Sequence, residues 1–267
     1  MLGDPFFWYG LALKVTMTAS IVVVASVAAE RSGPFIAALI TALPTAASAT
    51  YIILALEHPP AFIASGAVGS MAANAAVAIF ALVYTVLAQR HGIVLSMTAA
   101  TLVWFATAAV LQLVDWTAAS ALALDALVFA LTIPLSARYR AGAAAAARIE
   151  RTGYDLPLRA AAVAVVVTAV TTASHWIGPF ASGTFAFFPI VMGSVAVIIH
   201  SRAGGKAAAA VFAHAQPALL GLCFGFLGVH LLAERIGVWW SFAAGLTIVM
   251  AWSAALWLIR RARLRLM

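Results

Sequence analysis

The chain alternates long apolar stretches with short polar connectors, and nine of the stretches are long enough to cross a membrane as helices. One crossing needs about 20 mostly apolar residues. The stretches are too long and too uniform for the alternating strands of a membrane barrel. We therefore predict an all-α membrane protein with nine transmembrane helices. The predicted spans are residues 6–29, 34–56, 61–88, 93–113, 117–136, 157–175, 178–200, 207–233 and 237–259.

Composition excludes a soluble protein. Of the 267 residues, 65% are hydrophobic and 9% are charged, whereas a soluble domain has about 25% charged residues. A net charge of +7 would suggest nucleic-acid binding in a soluble chain. Here the basic residues lie in the connectors, so we expect contact with the lipid bilayer and no nucleic-acid partner. The single cysteine, Cys223, excludes an intrachain disulfide.

The basic residues are distributed unequally between the two sides of the predicted membrane domain. Lys14 and Arg235 fall on the side of the N-terminus. Under the positive-inside rule the N-terminus therefore lies outside the cell and the C-terminus in the cytoplasm. The basic residues on the cytoplasmic side are Arg31, Arg90, Arg138, Arg140, Arg148, Arg151, Arg159, Arg202, Lys206, Arg260, Arg261, Arg263 and Arg265.

The two halves of the sequence resemble each other at an offset of 145 residues. Residues 33–35 and 178–180 are both Gly-Pro-Phe, and Pro44 falls on Pro189. One connecting helix between two four-helix units inserts the second unit upside down, which is the inverted-repeat plan of many secondary transporters. We predict repeat one at residues 1–116, a linker helix and cytoplasmic loop at 117–156, and inverted repeat two at 157–267.

Each repeat resembles the small four-span GlpM-like inner-membrane proteins of bacteria. The resemblance rests on a basic residue in the first helix, a Gly-Pro entry to the second, and a proline within it. It implies a fused pair of such units in the bacterial inner membrane. Repeat one departs from the pattern at residues 56–59, where Ser and Gly are expected. The matching residues are Lys14, Gly33, Pro34, Leu43 and Pro44, and then Arg159, Gly178, Pro179, Phe188, Pro189 and residues 201–204.

Two prolines fall near the middle of corresponding helices. Pro44 and Pro189 each remove a backbone donor, which should free the carbonyl groups of Ile40 and Phe185. Paired helix interruptions of this kind indicate a transporter binding site. The alternative is a kink that serves packing alone, since proline is frequent in membrane helices.

Asp125 lies about 13 Å into the linker helix, where an ionised carboxylate costs at least a few kcal/mol without a partner. Lys14 lies at a similar distance into the first helix. We therefore predict a Lys14–Asp125 ion pair. Asp125 is also a candidate for coupling proton movement to transport, and the two roles can coexist.

Three further polar residues, Asn74, His214 and Gln216, fall within predicted spans. They are candidates for lining a substrate path, with His214 as a second proton carrier. The alternative is that they hold helices together through hydrogen bonds.

The favoured function is a carrier that moves a small molecule or ion by alternating access, with protons as the coupling ion. A passive channel of the same architecture and a non-transporting scaffold for a cell-envelope pathway remain alternatives. No catalytic motif suggests an enzyme, and the absence of HExxH and CxxC motifs gives no basis for a metal or other cofactor. The sequence leaves a homodimer open.

Overall fold

The described part of the computed structural model consists of helices and the short connections between them. It covers residues 45–140 and 155–266, together with residues 9, 12, 14–20 and 24 near the N-terminus. Its helices are α1 (Thr45–Glu57), α2 (Pro60–Leu87), α3 (Ile93–Leu111), α4 (Ala118–Ala137), α5 (Asp155–Ala186), α6 (Ile190–Ala203), α7 (Gly205–Ile236) and α8 (Val238–Leu266).

Six helical segments among the described residues are long and apolar enough to cross a membrane. This confirms the prediction of an all-helical protein compatible with multiple membrane crossings. Most of the predicted span 6–29, the start of span 34–56 and the loop at 141–154 lie outside the described residues.

The predicted spans 157–175 and 178–200 meet at a glycine, but the helix break lies further on. Gly178 adopts φ 77° and ψ 177°, a conformation that favours glycine, and it divides α5 into two helical parts. Helix α5 ends at Ala186, and α6 begins at Ile190, directly after Pro189. The predicted span 178–200 is therefore two shorter helices with a break between them.

Helices α2 and α7 form the centre of the bundle and run antiparallel. Three interhelical hydrogen bonds establish the direction. His230 near the end of α7 donates to the carbonyl of Ala64 near the start of α2, at 2.9 Å. Asn74 in the middle of α2 bonds to the carbonyl of Leu219, at 3.0 Å. The Thr85 hydroxyl near the end of α2 donates to the Ala209 carbonyl, at 3.5 Å.

Glycine allows close backbone contacts around α2. A Cβ added to Gly183 of α5 would lie 2.9 Å from Cα of Gly66 and closer still to its carbonyl group. A Cβ on Gly69 would meet the Phe180 backbone in the same way. Small residues at such positions let membrane helices approach closely. The kinked part of α5 is thereby held against the central helix.

Helix boundaries recur at a constant interval. Helices α2 and α3 begin at Pro60 and Ile93, and α7 and α8 begin at Gly205 and Val238. Each start in the first group precedes its equivalent by 145 residues, the same separation as that of the bonded pair Asn74 and Leu219.

Candidate functional site

The centre of the bundle contains a polar layer built by α2, α4 and α7. The Asn74 amide nitrogen donates to Oδ2 of Asp125 at 3.3 Å and to the carbonyl of Leu219 at 3.0 Å. Asn74 and Asp125 are each 0% exposed. The Cys223 thiol lies against the same carboxyl group. Two of the predicted site residues are therefore in direct contact at the crossing of the central helices.

A second polar layer lies two helical turns along α4. The hydroxyl of Thr132 donates to Oε1 of Gln216 at 3.1 Å, and the Gln216 amide donates to the Ala78 carbonyl at 2.9 Å. Gln216 is 1% exposed. Thr132 follows Asp125 by seven residues, which places the two layers about 10 Å apart along α4. Phe129, which is also buried, occupies the same face of α4 between them.

Two oxygen atoms of the first layer have no hydrogen-bond partner among the described residues. They are Oδ1 of Asp125 and Oδ1 of Asn74, both buried. Buried polar atoms are nearly always bonded, so each exception needs an explanation. An ionised Asp125 would be costly here, because its bonded partner is a neutral amide.

The predicted Lys14–Asp125 ion pair is wrong. Nζ of Lys14 lies 2.9 Å from Oε1 of Glu57, the last residue of α1. Glu57 precedes the turn between α1 and α2, where charged groups reach water, whereas Asp125 is fully buried. Lys14 thus pairs with the carboxylate at the end of the bundle, and Asp125 receives its hydrogen bond from Asn74.

Pro189 interrupts its helix as predicted, but the expected free carbonyl is not found. The backbone N–H of Phe188 donates to the Phe185 carbonyl at 3.0 Å. This bond spans three residues, so the chain forms a tight turn just before the proline. Phe185 and Phe188 pack edge-on against the buried Trp104 of α3. The break therefore lies in aromatic surroundings. Pro44 lies outside the described residues.

His214 is not part of the central layers. It lies two positions before Gln216, so its side chain points to a different face of α7. The side chain of His214 is exposed. The predicted path-lining set is therefore divided: Asn74 and Gln216 are buried in the core with Asp125, and His214 is at the surface.

The sequence did not identify the partners of the buried polar groups. Two of the acceptors are backbone carbonyls, those of Leu219 and Ala78, and every residue carries such a group. Thr132 could have been identified from the sequence, because it lies seven residues after Asp125 and therefore on the same helix face.

A separate group of polar side chains, formed by His58, Ser174 and His175, lies beside the Lys14–Glu57 pair. His58 follows Glu57 in the turn, and its Nε2 lies 2.8 Å from Oγ of Ser174. The rings of His58 and His175 are 4.6 Å apart. Burial and the neighbouring His175 lower the pKa of His58, while Glu57 raises it.

An apolar cavity of about 290 Å³ lies between α1, α7 and α8. Tyr51, Phe226 and Trp239 are among its lining residues. Its walls are apolar, whereas the two central layers consist of buried, hydrogen-bonded polar side chains. The cavity therefore does not extend the polar site.

Comparison with known proteins identified no relative, since no family model, curated protein or solved structure matched the chain. The resemblance to GlpM-like proteins therefore stays a prediction. The structure defines a coarser class, a multi-pass helical membrane protein.

Proposed function

We propose that the protein is a secondary membrane transporter, built from two inverted repeats and working by alternating access on a small molecule or ion. In this proposal the central layers around Asn74, Asp125 and Gln216 form the moving polar site, and Asp125 is the proton carrier. The proposal places the protein in the bacterial inner membrane, with the N-terminus outside and the C-terminus in the cytoplasm.

The observation that carries the proposal is a pair of hydrogen bonds related by exchange of the two halves. Advancing Thr85 by 145 residues reaches His230, and advancing Ala64 by the same interval reaches Ala209. The Thr85–Ala209 bond in one half thus corresponds to the His230–Ala64 bond in the other. Exchange of this kind is expected when a pseudo-two-fold axis relates two repeats.

Asn74 and Leu219 are equivalent positions under the same offset, and they bond directly to each other. Two equivalent positions touch only where they meet near the axis, so the axis passes close to this bond. The antiparallel course of α2 and α7 supports an inverted rather than a parallel repeat. Asp125 therefore lies where the two proposed repeats meet, as expected for a transporter site.

The closed core favours a carrier over an open channel. Asn74, Asp125 and Gln216 are at most 1% exposed and bond to one another's helices. A passive channel would need a continuous polar path past these side chains. A carrier needs only that the layers separate towards one side at a time, and a protonated Asp125 lets the closed state form at low cost.

Charge distribution supports the proposed orientation. Arg90 follows α2, Arg138 follows α4 and Arg202 lies in the last turn of α6. The ends of α2 and α6 lie together, because the Tyr84 hydroxyl is 2.9 Å from Nδ1 of His200. The ends of α2 and α4 both lie beside the first part of α7, because Thr85 donates to the Ala209 carbonyl and Nε of Arg140 to the Ala213 carbonyl. The positive-inside rule places this basic end in the cytoplasm.

Cysteine labelling tests the inverted topology. In a Cys223→Ala background, Arg90→Cys and Arg235→Cys place thiols at equivalent, exposed positions of the two repeats. A membrane-impermeant maleimide should label position 235 in right-side-out vesicles and position 90 only in inside-out vesicles. Labelling of both positions from one side would overturn the inverted-repeat proposal.

Transport itself is tested after a ligand screen by thermal shift on the purified protein. Uptake of the stabilising compound into proteoliposomes should saturate, show counterflow and depend on an inward proton gradient. Asp125→Asn should abolish the gradient dependence, whereas Asp115→Asn, an exposed control, should not. Currents far above carrier turnover would indicate the channel instead, and absence of flux with any stabilising compound would favour a scaffold.

A further inference from the structure

Three side chains of types that commonly bind metal ions lie close together at the end of the bundle opposite the basic end. They are Glu57 at the end of α1, His58 in the following turn and His175 in α5. Their ligand atoms all lie within 4.8 Å of one another. This grouping is separate from the central layers and plays no part in the proposed transport mechanism.

Hydrogen bonding fixes the state of one imidazole. The Ser174 hydroxyl has a single proton and donates it to the Thr171 carbonyl at 2.8 Å. Its oxygen therefore accepts from Nε2–H of His58, at 2.8 Å. This assignment leaves Nδ1 of His58 with a lone pair. A bond from the second ring nitrogen to a neighbouring group is the usual way in which proteins orient a metal-binding histidine.

The turn that carries His58 is rigid. Pro59 and Pro60 follow it directly and restrict the backbone. The ring of His58 stacks on Phe62, with centroids 3.8 Å apart and planes 8° from parallel. His58 is thus preorganised, whereas Glu57 and His175 have exposed side chains that can adjust.

We propose that Glu57, His58 and His175 bind a divalent first-row transition metal, with zinc as the best match. Two imidazoles and one carboxylate are a known ligand set for zinc with one open position for water. Zinc ligands lie about 2.0–2.1 Å from the metal and so roughly 3.3 Å from each other in a tetrahedron. Binding therefore draws the exposed Glu57 and His175 side chains inward by an ångström or so.

Lys14 competes with the metal for Glu57. Its ammonium group lies 2.9 Å from Oε1 of Glu57 and neutralises the carboxylate in the metal-free protein. A bound cation at this place must displace Lys14 or be repelled by it. Removing the charge at position 14 should consequently strengthen metal binding, an effect opposite in sign to that of removing a ligand.

Zinc binding to the detergent-solubilised full chain, with any affinity tag removed, tests the proposal by titration calorimetry with zinc alone. We expect one site per chain. His175→Gln and Glu57→Gln should each weaken binding by about tenfold or more, and Lys14→Gln should tighten it. His91→Gln is the matched control, because His91 is an exposed histidine at the other end of α2.

A spectroscopic readout distinguishes a built site from surface adsorption. Cobalt in place of zinc should give the visible absorption of a four-coordinate centre, and His175→Gln should remove it. His175 has an exposed side chain, so its replacement should leave the fold intact, and thermal unfolding without metal checks this. Failure of the wild-type chain to bind zinc, or equal affinity of the His175→Gln and His91→Gln variants, would overturn the proposal. Neither result bears on the transport proposal.

Discussion

Replacing Gly183 by alanine should weaken the contact between α2 and α5. The added Cβ would lie 2.9 Å from Cα of Gly66 and nearer to its carbonyl, whereas ordinary contacts begin at 3.4 Å. Both obstructing groups are backbone, so the two helices must move apart. The Gly183 carbonyl also accepts the Ser70 hydroxyl at 2.7 Å, and separation would strain that bond.

The expected cost follows from these two effects. Overpacking in a tight interior costs about 1–3 kcal/mol, and one interhelical hydrogen bond in a membrane protein contributes about 0.6 kcal/mol. We expect Gly183→Ala to lower the free energy of unfolding by about 2 kcal/mol. Reversible unfolding in mixed micelles with increasing SDS would measure it.

Gly92 provides the matched control. An added Cβ there meets nothing within 4 Å, and the backbone has φ −68°, which alanine adopts readily. Gly92 is the N-cap of α3, where alanine is less favourable than glycine, and this offsets the entropic gain of about 0.4–1 kcal/mol, so Gly92→Ala should be close to neutral. Equal unfolding midpoints for Gly183→Ala and Gly92→Ala would refute the assignment of α2–α5 as a close backbone contact.

Five other substitutions are compared by the same unfolding assay. Gln216→Leu removes two interhelical bonds and should cost about 1 kcal/mol, and Thr132→Val, which removes one of them, should cost about half as much. Trp104→Ala should cost about 3–5 kcal/mol because the side chain is fully buried, and the half-exposed Trp239→Ala much less. Tyr84→Phe removes the bond to the neighbouring imidazole and should cost about 0.6 kcal/mol.

Burial of the central polar residues followed from their positions in the sequence, but their partners did not. The depth of Asp125 in an apolar segment indicated that it needs a partner within the membrane. The choice of Lys14 assumed that equal distance into two helices means equal depth. The structure instead places Lys14 beside Glu57 at the end of the bundle. Helix starting points, tilt and crossing angles decide such pairings, and apolar length does not encode them.

The metal-ligand grouping shows a second limit of sequence reasoning. His58 and Ser174, which orients it, are 116 residues apart. Motifs such as HExxH place ligands on one helix face, where the spacing is visible in the sequence. Ligands contributed by separate helices are brought together only by tertiary packing. The sequence gives one local sign of a rigid turn, the two prolines that directly follow His58.

The same interval of 145 residues that supports the repeats also shows where they differ. Exchange of the halves would turn the bond from Asn74 to the Leu219 carbonyl into one from Leu219, which has no side-chain donor. The bond from Gln216 to the Ala78 carbonyl is lost in the same way, because the equivalent residues are Met71 and Cys223. The two exchanged conformations of the proposed carrier therefore differ by these two interhelical bonds, about 1.2 kcal/mol in total. Such a difference corresponds to a population ratio of about eightfold. Asp125 lies on α4, outside both repeats, and bonds to Asn74 but not to Leu219, the equivalent position. Its bond therefore also distinguishes the two halves. Protonation at Asp125 can then shift the balance between the two proposed conformations.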